Sequence, residues 1–349
     1  MKFNISFTKL ISAIVLGFFG GALFYFLNIP LAWMMGAMIF VTIGALIGIP
    51  VEIPNRLRAL FISILGVMLG SAFTPELLGQ STQFGIAFAI QILYMFLAGI
   101  IAFFIFRYIG KYDRVTSYFS CTPGGLSEMT LSGEYYGGDT RIISINHSVR
   151  ILIIVTLIPL YFKFFEGIQV NTNSNISIEV WNILDILLLS SCIVVGYPIA
   201  TKLKLPAAPL IGPMILSALI HSLGFTDANV PELLISISQL VVGTSLGCRF
   251  TERISFKKMV FIIFIAIISA ISMIILAIIL TYLSVNILPI KSSTLFLSIA
   301  PGGLAEMSLI ALALGTGTAF VTVMHFFRVC IVMLFGAIIY KVTLNKFKT

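Results

Sequence analysis

The chain has 349 residues, of which 59% are hydrophobic and only 10% are charged, whereas roughly a quarter of the residues in soluble domains are charged. This excess of apolar residues excludes an ordinary water-soluble core and predicts a polytopic membrane protein. The formal net charge of +8 does not indicate a nucleic-acid partner, because the basic residues lie between apolar runs and form no single patch.

Ten apolar runs approach the roughly 20 residues that a helix needs to cross a bilayer. They cover residues 10–27, 31–49, 57–73, 84–106 and 142–162 in the first half, and 183–200, 209–223, 233–247, 259–287 and 320–340 in the second. The first run lacks a small-residue cleavage site and continues into the second, so we expect a retained span and no signal peptide. A polar stretch at 167–180 predicts an external linker between a first repeat, 1–166, and a second repeat, 181–349.

One motif occurs twice, each time between the fourth and fifth runs of a half. Its two copies are Pro123-Gly124-Gly125-Leu126-Ser127-Glu128-Met129 and Pro301-Gly302-Gly303-Leu304-Ala305-Glu306-Met307. A histidine follows each glutamate after nineteen residues, and an arginine follows each histidine after three, giving His147, Arg150, His325 and Arg328. All intervals are preserved across a shift of 178 positions, which indicates a duplicated site.

The loop charges predict how the two halves are oriented. Positive residues follow the second and fourth runs of the first half, but the first and third runs of the second half. By the positive-inside rule, matching loops then lie on opposite sides of the membrane, as in an inverted-topology repeat. The predicted fold is therefore an all-α polytopic membrane protein with two inverted repeats of about five spans each and both termini cytoplasmic. Each repeat also carries one Pro-Gly-Gly element, either re-entrant or a broken spanning helix.

The motif predicts a helix break with charged groups around it. Proline removes a backbone donor and glycine permits unusual dihedral angles, so a helix ends there and a second one can start. The start of a helix favours negative charge, which suits Glu128 and Glu306. A buried arginine costs at least about 3 kcal/mol in a membrane, and we expect either a glutamate partner or an anionic ligand to offset this cost. The alternative is structural, with Glu–Arg pairs that lock the broken elements to the following spans.

Twelve residues form the predicted substrate- or ion-binding set. They are Pro123, Gly124, Gly125, Glu128, His147, Arg150, Pro301, Gly302, Gly303, Glu306, His325 and Arg328. Thr122, Ser127 and Asn146 are weaker candidates for ligand contact. No metal site is predicted, because the four cysteines are isolated in apolar segments and the two site histidines lie in separate halves.

The paired Pro-Gly-Gly-Leu-x-Glu-Met and His-x-x-Arg patterns resemble the duplicated bacterial AbrB family of integral membrane proteins, over essentially the whole chain. That family shares its name with a soluble DNA-binding regulator, and its members have also been labelled ammonia monooxygenase. The resemblance implies a location in the bacterial cytoplasmic (inner) membrane.

Three classes of function follow. The inverted repeat, the helix breaks and the buried charges favour a secondary transporter that binds a small anionic or zwitterionic solute at the midplane between the repeats, coupled to protons or another ion. A membrane-embedded regulator or sensor of gene expression is the alternative, and a monooxygenase subunit is the least favoured class. We expect no enzyme activity and no cofactor. The expected partners are a small-molecule or ion substrate and the lipid bilayer, and a homodimer is left open.

Overall fold

The computed structural model describes residues 7–73, 81–165, 182–251 and 256–343, and the predicted linker lies outside these ranges. The described residues form fourteen α-helices and no β-strand. In order, the helices are α1 (Phe7–Phe26), α2 (Ala32–Leu46), α3 (Asn55–Gly70), α4 (Ser81–Phe104), α5 (Arg114–Cys121), α6 (Leu126–Tyr135), α7 (Thr140–Phe165), α8 (Ile183–Lys202), α9 (Ala208–Ser222), α10 (Glu232–Gly247), α11 (Phe256–Ser284), α12 (Ser292–Ile299), α13 (Leu304–Ala313) and α14 (Thr318–Thr343). A π-helical turn at Ile105–Ile109 follows α4, and a 3-10 turn at Cys248–Thr251 follows α10.

Each of the ten predicted apolar runs coincides with a helix, and the two Pro-Gly-Gly segments contribute the four short helices α5, α6, α12 and α13. Seven described helices are long and apolar enough to cross a membrane by their length and composition. They are α1, α4, α7, α8, α10, α11 and α14. The fold is therefore that of an all-α polytopic membrane protein.

The chain forms two compact units, and each unit takes helices from both predicted halves. Unit 1 comprises Met1–Gly79, Thr156–Thr251 and Ser308–Ala319, and unit 2 comprises Gln80–Val155, Glu252–Met307 and Phe320–Thr349. Unit 1 thus holds α1–α3 together with α8–α10. Unit 2 holds α4–α6, the first part of α7, α11, α12, the start of α13 and nearly all of α14. The boundaries predicted for the two repeats concern the sequence duplication and stay a prediction.

In unit 1 the turns that lead into α2 and α9 have the same unusual backbone. The residues before these helices, Leu31 and Ala207, have φ angles of 50° and 46°. Three residues earlier, Asn28 and Lys204 have φ angles of 52° and 54°. Left-handed conformations are unfavourable for residues with a Cβ atom, by roughly 1–2 kcal/mol each. Two such turns at matching places in the two halves therefore represent one specific local architecture that occurs twice.

The helices of unit 1 approach each other through glycines. A Cβ atom on Gly66 of α3 would meet the Leu210 carbonyl of α9, and one on Gly243 of α10 would meet the Met34 carbonyl of α2. The contacts are thus reciprocal, because the third helix of each half packs against the second helix of the other half. Small residues allow this close approach of helix backbones in a membrane. Gly70 and Gly247, four residues further along the same helices, make the same kind of contact with the Met214 and Met38 carbonyls.

Candidate functional site at two helix breaks

All twelve predicted site residues lie in unit 2. The sequence separates the two motifs by 178 positions, and the fold places both of them in one compact body. The elements that carry these residues are α5–α7 for the first motif and α12–α14 for the second.

The helix is interrupted at both Pro-Gly-Gly motifs, as predicted. After α5, Thr122 takes an extended conformation with φ −66° and ψ 125°, and after α12, Ala300 does the same with φ −50° and ψ 147°. The Gly124 amide donates to the Thr122 carbonyl over 2.8 Å, and the Gly302 amide donates to the Ala300 carbonyl over 2.9 Å. Each break therefore ends one helix in a tight turn, and the carbonyls there are no longer committed to a helical ladder.

The reason expected for the motif glycines was wrong for Gly125. Its φ angle is −64°, which any residue can adopt, and none of the four motif glycines is among the described residues with positive φ. Gly125 and Gly303 instead leave space for a neighbouring carboxylate. A Cβ atom on Gly125 would collide with the carboxylate of Glu128, and one on Gly303 with the carboxylate of Glu306.

The two glutamates fold back over the breaks. Each lies in the first turn of its helix, Glu128 in α6 and Glu306 in α13. A carboxylate at this position interacts favourably with the free amides of the helix start. Glu128 is half-buried, and among the described side chains it forms no ion pair. The first motif therefore does not contain the Glu–Arg pair that the structural alternative requires.

The two histidines fasten the long helices to the breaks. His147 and His325 are both 0% exposed. The Nε2 atom of His147 lies 2.8 Å from the Phe119 carbonyl, and that of His325 lies 2.9 Å from the Leu297 carbonyl. Because a carbonyl can only accept, Nε2 carries the proton and donates in both cases. The ring holds α7 against α5 and α14 against α12, and its Nδ1 atom has no hydrogen-bond partner within the described ranges.

Two backbone carbonyls at the second break accept hydrogen bonds from Arg328. Its side chain is 2% exposed, Nη1 donates to the Ala300 carbonyl over 2.8 Å, and Nη2 donates to the Gly302 carbonyl. The charge of Glu306 also acts on this guanidinium. We expected a carboxylate or a ligand to offset the free-energy cost of burying this arginine. In the structure, the carbonyls at the helix break supply hydrogen bonds to it. Their dipoles point negative ends at the cation.

Arg150 occupies the same register at the first break but is not capped. It follows Thr122 by 28 residues, as Arg328 follows Ala300, and it is 7% exposed. Its Nε and Nη1 atoms have no hydrogen-bond partner among the described residues. Arg150 lies one turn after His147, which is bonded to the Phe119 carbonyl one turn before Thr122, and this register places Arg150 near the first break. The Nε atom of Arg328 is also unpaired among the described residues, so the two guanidinium groups differ at their Nη atoms.

Polar groups without partners accumulate around Arg150 on α7. Asn146 Oδ1, His147 Nδ1 and Ser148 Oγ are buried and unpaired among the described residues. The Asn146 amide makes one long contact of 3.4 Å with the Ser120 hydroxyl. The residues of α14 that match Asn146 and Ser148 are Met324 and Phe326. At these two positions α7 thus carries buried polar side chains where α14 carries apolar ones.

Sequence reasoning missed two residues of α4 in this region. Tyr94 is fully buried, its hydroxyl donates to the Met273 carbonyl over 3.4 Å, and both site arginines act on it electrostatically. Gln91 is fully buried three residues earlier, which puts it on the same helix face, and neither of its amide atoms has a partner among the described residues. Gln91 is the one amide side chain in the fourth apolar run, and this signal could have identified it.

Both arginines are buried in the same unit, so unit 2 concentrates positive charge away from water. The side chain of Ser127 lies outside what the structure describes. Thr122 is buried, and its hydroxyl donates to the Tyr118 carbonyl over 2.7 Å, so its oxygen is already engaged within α5.

Comparison with known proteins extends over most of the chain. A family model described as "Transition state regulatory protein AbrB" matches residues 33–343. The Bacillus subtilis (strain 168) protein named "Uncharacterized protein YhjN" is 25% identical over 342 residues, covering 90% of this chain and 88% of the relative. The Escherichia coli (strain K12) protein named "Putative regulator AbrB" is 24% identical over 321 residues, covering 90% of each. The range matched by the family model includes both helix breaks.

The unequal surroundings of the two arginines predict unequal effects on stability. Arg328→Lys removes the planar fork that bridges two carbonyls, and it should lower the free energy of unfolding by about 1.5–3 kcal/mol, the contribution of one charged hydrogen bond. Arg150→Lys should cause a clearly smaller loss, because the Nε and Nη1 atoms of Arg150 make no such bond in the part of the chain that the structure describes. Chemical denaturation of both variants in lipid nanodiscs, without added organic anion, measures the difference. Equal losses would contradict the assignment of Arg328 as the capped arginine and Arg150 as the open one.

Proposed function

The chain belongs to the AbrB family, and we propose that this member is a secondary transporter of small anionic or zwitterionic solutes in the bacterial cytoplasmic membrane. The proposal rests on a difference between the hydrogen-bond partners of the two arginines. Arg150 is buried near a helix break with unpartnered N–H groups, whereas carbonyls cap the matching Arg328. An anion bound to Arg150 would supply the acceptors that the protein does not.

The energetics favour a ligand at Arg150. A charged residue at membrane depth costs roughly 2.5–3.5 kcal/mol on the gentlest scale, and each unmet buried donor costs about 1–3 kcal/mol more. A carboxylate or sulfonate offers two oxygens in a geometry that matches the guanidinium fork. Binding would therefore relieve a cost that the empty protein carries, and it would do so for anions in particular.

The proposed architecture is a pair of inverted repeats with ten spans, two broken elements, cytoplasmic termini and an external linker at 167–180. The matched left-handed turns, the reciprocal glycine contacts and the two histidine–carbonyl bonds support two copies of one architecture. The loop charges support the opposite orientation of the copies. In such proteins the substrate binds near the midplane where the repeats meet.

The asymmetry between the arginines suggests how the repeats alternate. In one state Arg150 is open to an anion while carbonyls cap Arg328. Because the repeats have equivalent parts, the opposite state would cap Arg150 with the Thr122 carbonyl and open Arg328. Exchange of these two roles between the repeats would change which side of the membrane the bound anion faces.

A regulator that senses the same anion without moving it is the second candidate. The relative from Escherichia coli carries a name that describes it as a putative regulator, and the family description also refers to regulation. Anion binding at Arg150 fits both candidates. They differ in whether the bound anion crosses the membrane.

Uptake by proteoliposomes tests the transport proposal. We expect at least one member of a labelled panel of monocarboxylates, sulfonates and amino acids to enter liposomes that contain the protein. Arg150→Lys should reduce this uptake by at least about tenfold, because one charged hydrogen bond contributes about 1.5–3 kcal/mol. Arg141→Lys is the matched control, since Arg141 is exposed at the start of the same helix, and it should leave uptake unchanged.

Two outcomes of this experiment would overturn the proposal. Binding of the anion without any uptake would favour the sensor. Undiminished uptake in the Arg150→Lys variant would remove this arginine from the transport site.

The glutamates provide the proposed coupling. A second negative charge near Glu128 or Glu306 is tolerated more easily when the carboxylate takes up a proton, so binding of an anion should favour protonation. Glu128→Gln and Glu306→Gln should therefore abolish accumulation driven by an imposed pH gradient while they permit exchange of substrate across the membrane. Glu134→Gln is the control, because Glu134 is exposed on α6. If both site variants still concentrate substrate against its gradient, the glutamates do not couple transport to protons.

A further inference from the structure

Unit 2 contains a cavity of about 400 Å³ beside the first helix break. Its walls are α4 from Ile92 to Phe104, the last residues of α5, Pro123 of the break, and α14 around Val332. We call it the α4–α14 cavity. Its volume lies within the roughly 300–1,000 Å³ that small-molecule sites in proteins occupy.

The walls of the α4–α14 cavity offer an apolar environment. Most of the lining side chains are aliphatic or aromatic, and the exceptions are already hydrogen-bonded within the protein. The Tyr118 hydroxyl donates to the Gly336 carbonyl over 2.7 Å, and the Thr122 hydroxyl and the Cys121 thiol both donate to the Tyr118 carbonyl. A polar ligand group inside the cavity would lose its water without gaining a partner. The cavity therefore suits hydrocarbon.

The cavity lies beside the part of α5 that faces Arg150. Cys121 and Thr122 line it, and they follow Phe119, whose carbonyl is bonded to His147 one turn before Arg150. Thr122 is the residue that matches Ala300, and the Ala300 carbonyl accepts from Arg328. An unpartnered cation and an apolar cavity thus meet at one break. This combination complements a molecule with an anionic head and an apolar body.

We propose that the solute bound at Arg150 is an organic anion whose apolar body occupies the α4–α14 cavity. This inference rests on the proposed function and narrows its substrate class from small anions in general to amphipathic ones. A hydrocarbon chain from the bilayer is the competing occupant. The unmet positive charge favours the anion, because a lipid chain alone would leave the guanidinium without acceptors.

Two glycines of α4 allow a matched test. A Cβ atom on Gly99 would meet no atom within 4 Å, and Gly99 lines the cavity, so Gly99→Phe should add the volume of a ring to this wall. A Cβ atom on Gly85 also meets nothing within 4 Å, but Gly85 is not part of the cavity wall. Gly85→Phe therefore controls for adding an aromatic ring to the same helix.

The experiment measures the binding of straight-chain alkanesulfonates to the full chain in lipid nanodiscs by calorimetry, with empty nanodiscs as the blank. Sulfonates stay anionic at all working pH values, so the head group is constant from methanesulfonate to hexanesulfonate. In the native protein the affinity should rise by up to about fourfold per added methylene. In Gly99→Phe most of this rise should disappear while methanesulfonate still binds, and Gly85→Phe should behave like the native protein.

Three results would overturn the inference. If the affinity depends on chain length in the same way in Gly99→Phe as in Gly85→Phe, the alkyl chain of the sulfonate does not lie in the cavity. In that case, binding of methanesulfonate that requires Arg150 would still leave the proposed function intact. If no sulfonate or carboxylate binds in an Arg150-dependent way, the proposed function itself fails. If Gly99→Phe removes a bound lipid in native mass spectrometry and changes no anion affinity, the occupant of the cavity is a lipid chain.

Discussion

The arrangement in unit 2 depends on the need of a buried guanidinium for hydrogen-bond acceptors. At the second break the protein meets this need with two backbone carbonyls, which are available only because Pro301 and its glycines end the helix there. The break, the histidine that positions the long helix, and the arginine therefore form one unit of structure. Without the break the carbonyls would be committed to the helix, and without the histidine the arginine would not be held in register with them.

The first break has the same parts but leaves its arginine open. The histidine–carbonyl distance is nearly the same at both breaks, at 2.8 Å for His147 and 2.9 Å for His325. The two breaks therefore share this helix contact, but only the second one has carbonyls bonded to its arginine. Polar groups replace apolar ones around Arg150, and an apolar cavity lies against the same break. These differences fall where a ligand with a charged head and an apolar body would lie. A single solute bound at Arg150 would account for such a difference between the two breaks.

Sequence reasoning predicted the helices and the breaks better than the contacts around them. The ten apolar runs and the interruptions at the motifs follow from hydropathy and from the chemistry of proline, and all of them are found in the structure. The carbonyl partners of Arg328 could not be predicted, because backbone atoms leave no signature in the residue types. The role of Gly125 was misjudged because crowding by the Glu128 carboxylate depends on how that side chain folds back. Gln91 and Tyr94 were missed because each repeats no motif, although a lone amide in an apolar run carries information.

Direct detection of an anion at Arg150 tests the central claim best. Solid-state NMR of the protein in lipid, with labelled guanidinium nitrogens and hexanoate labelled at its carboxylate carbon, reports whether the two groups are in contact. If Arg150 binds the anion, a dipolar coupling between the two groups should survive Arg328→Lys and vanish in Arg150→Lys. A coupling that persists in Arg150→Lys, or one that depends only on Arg328, would contradict the assignment of Arg150 as the anion-binding group.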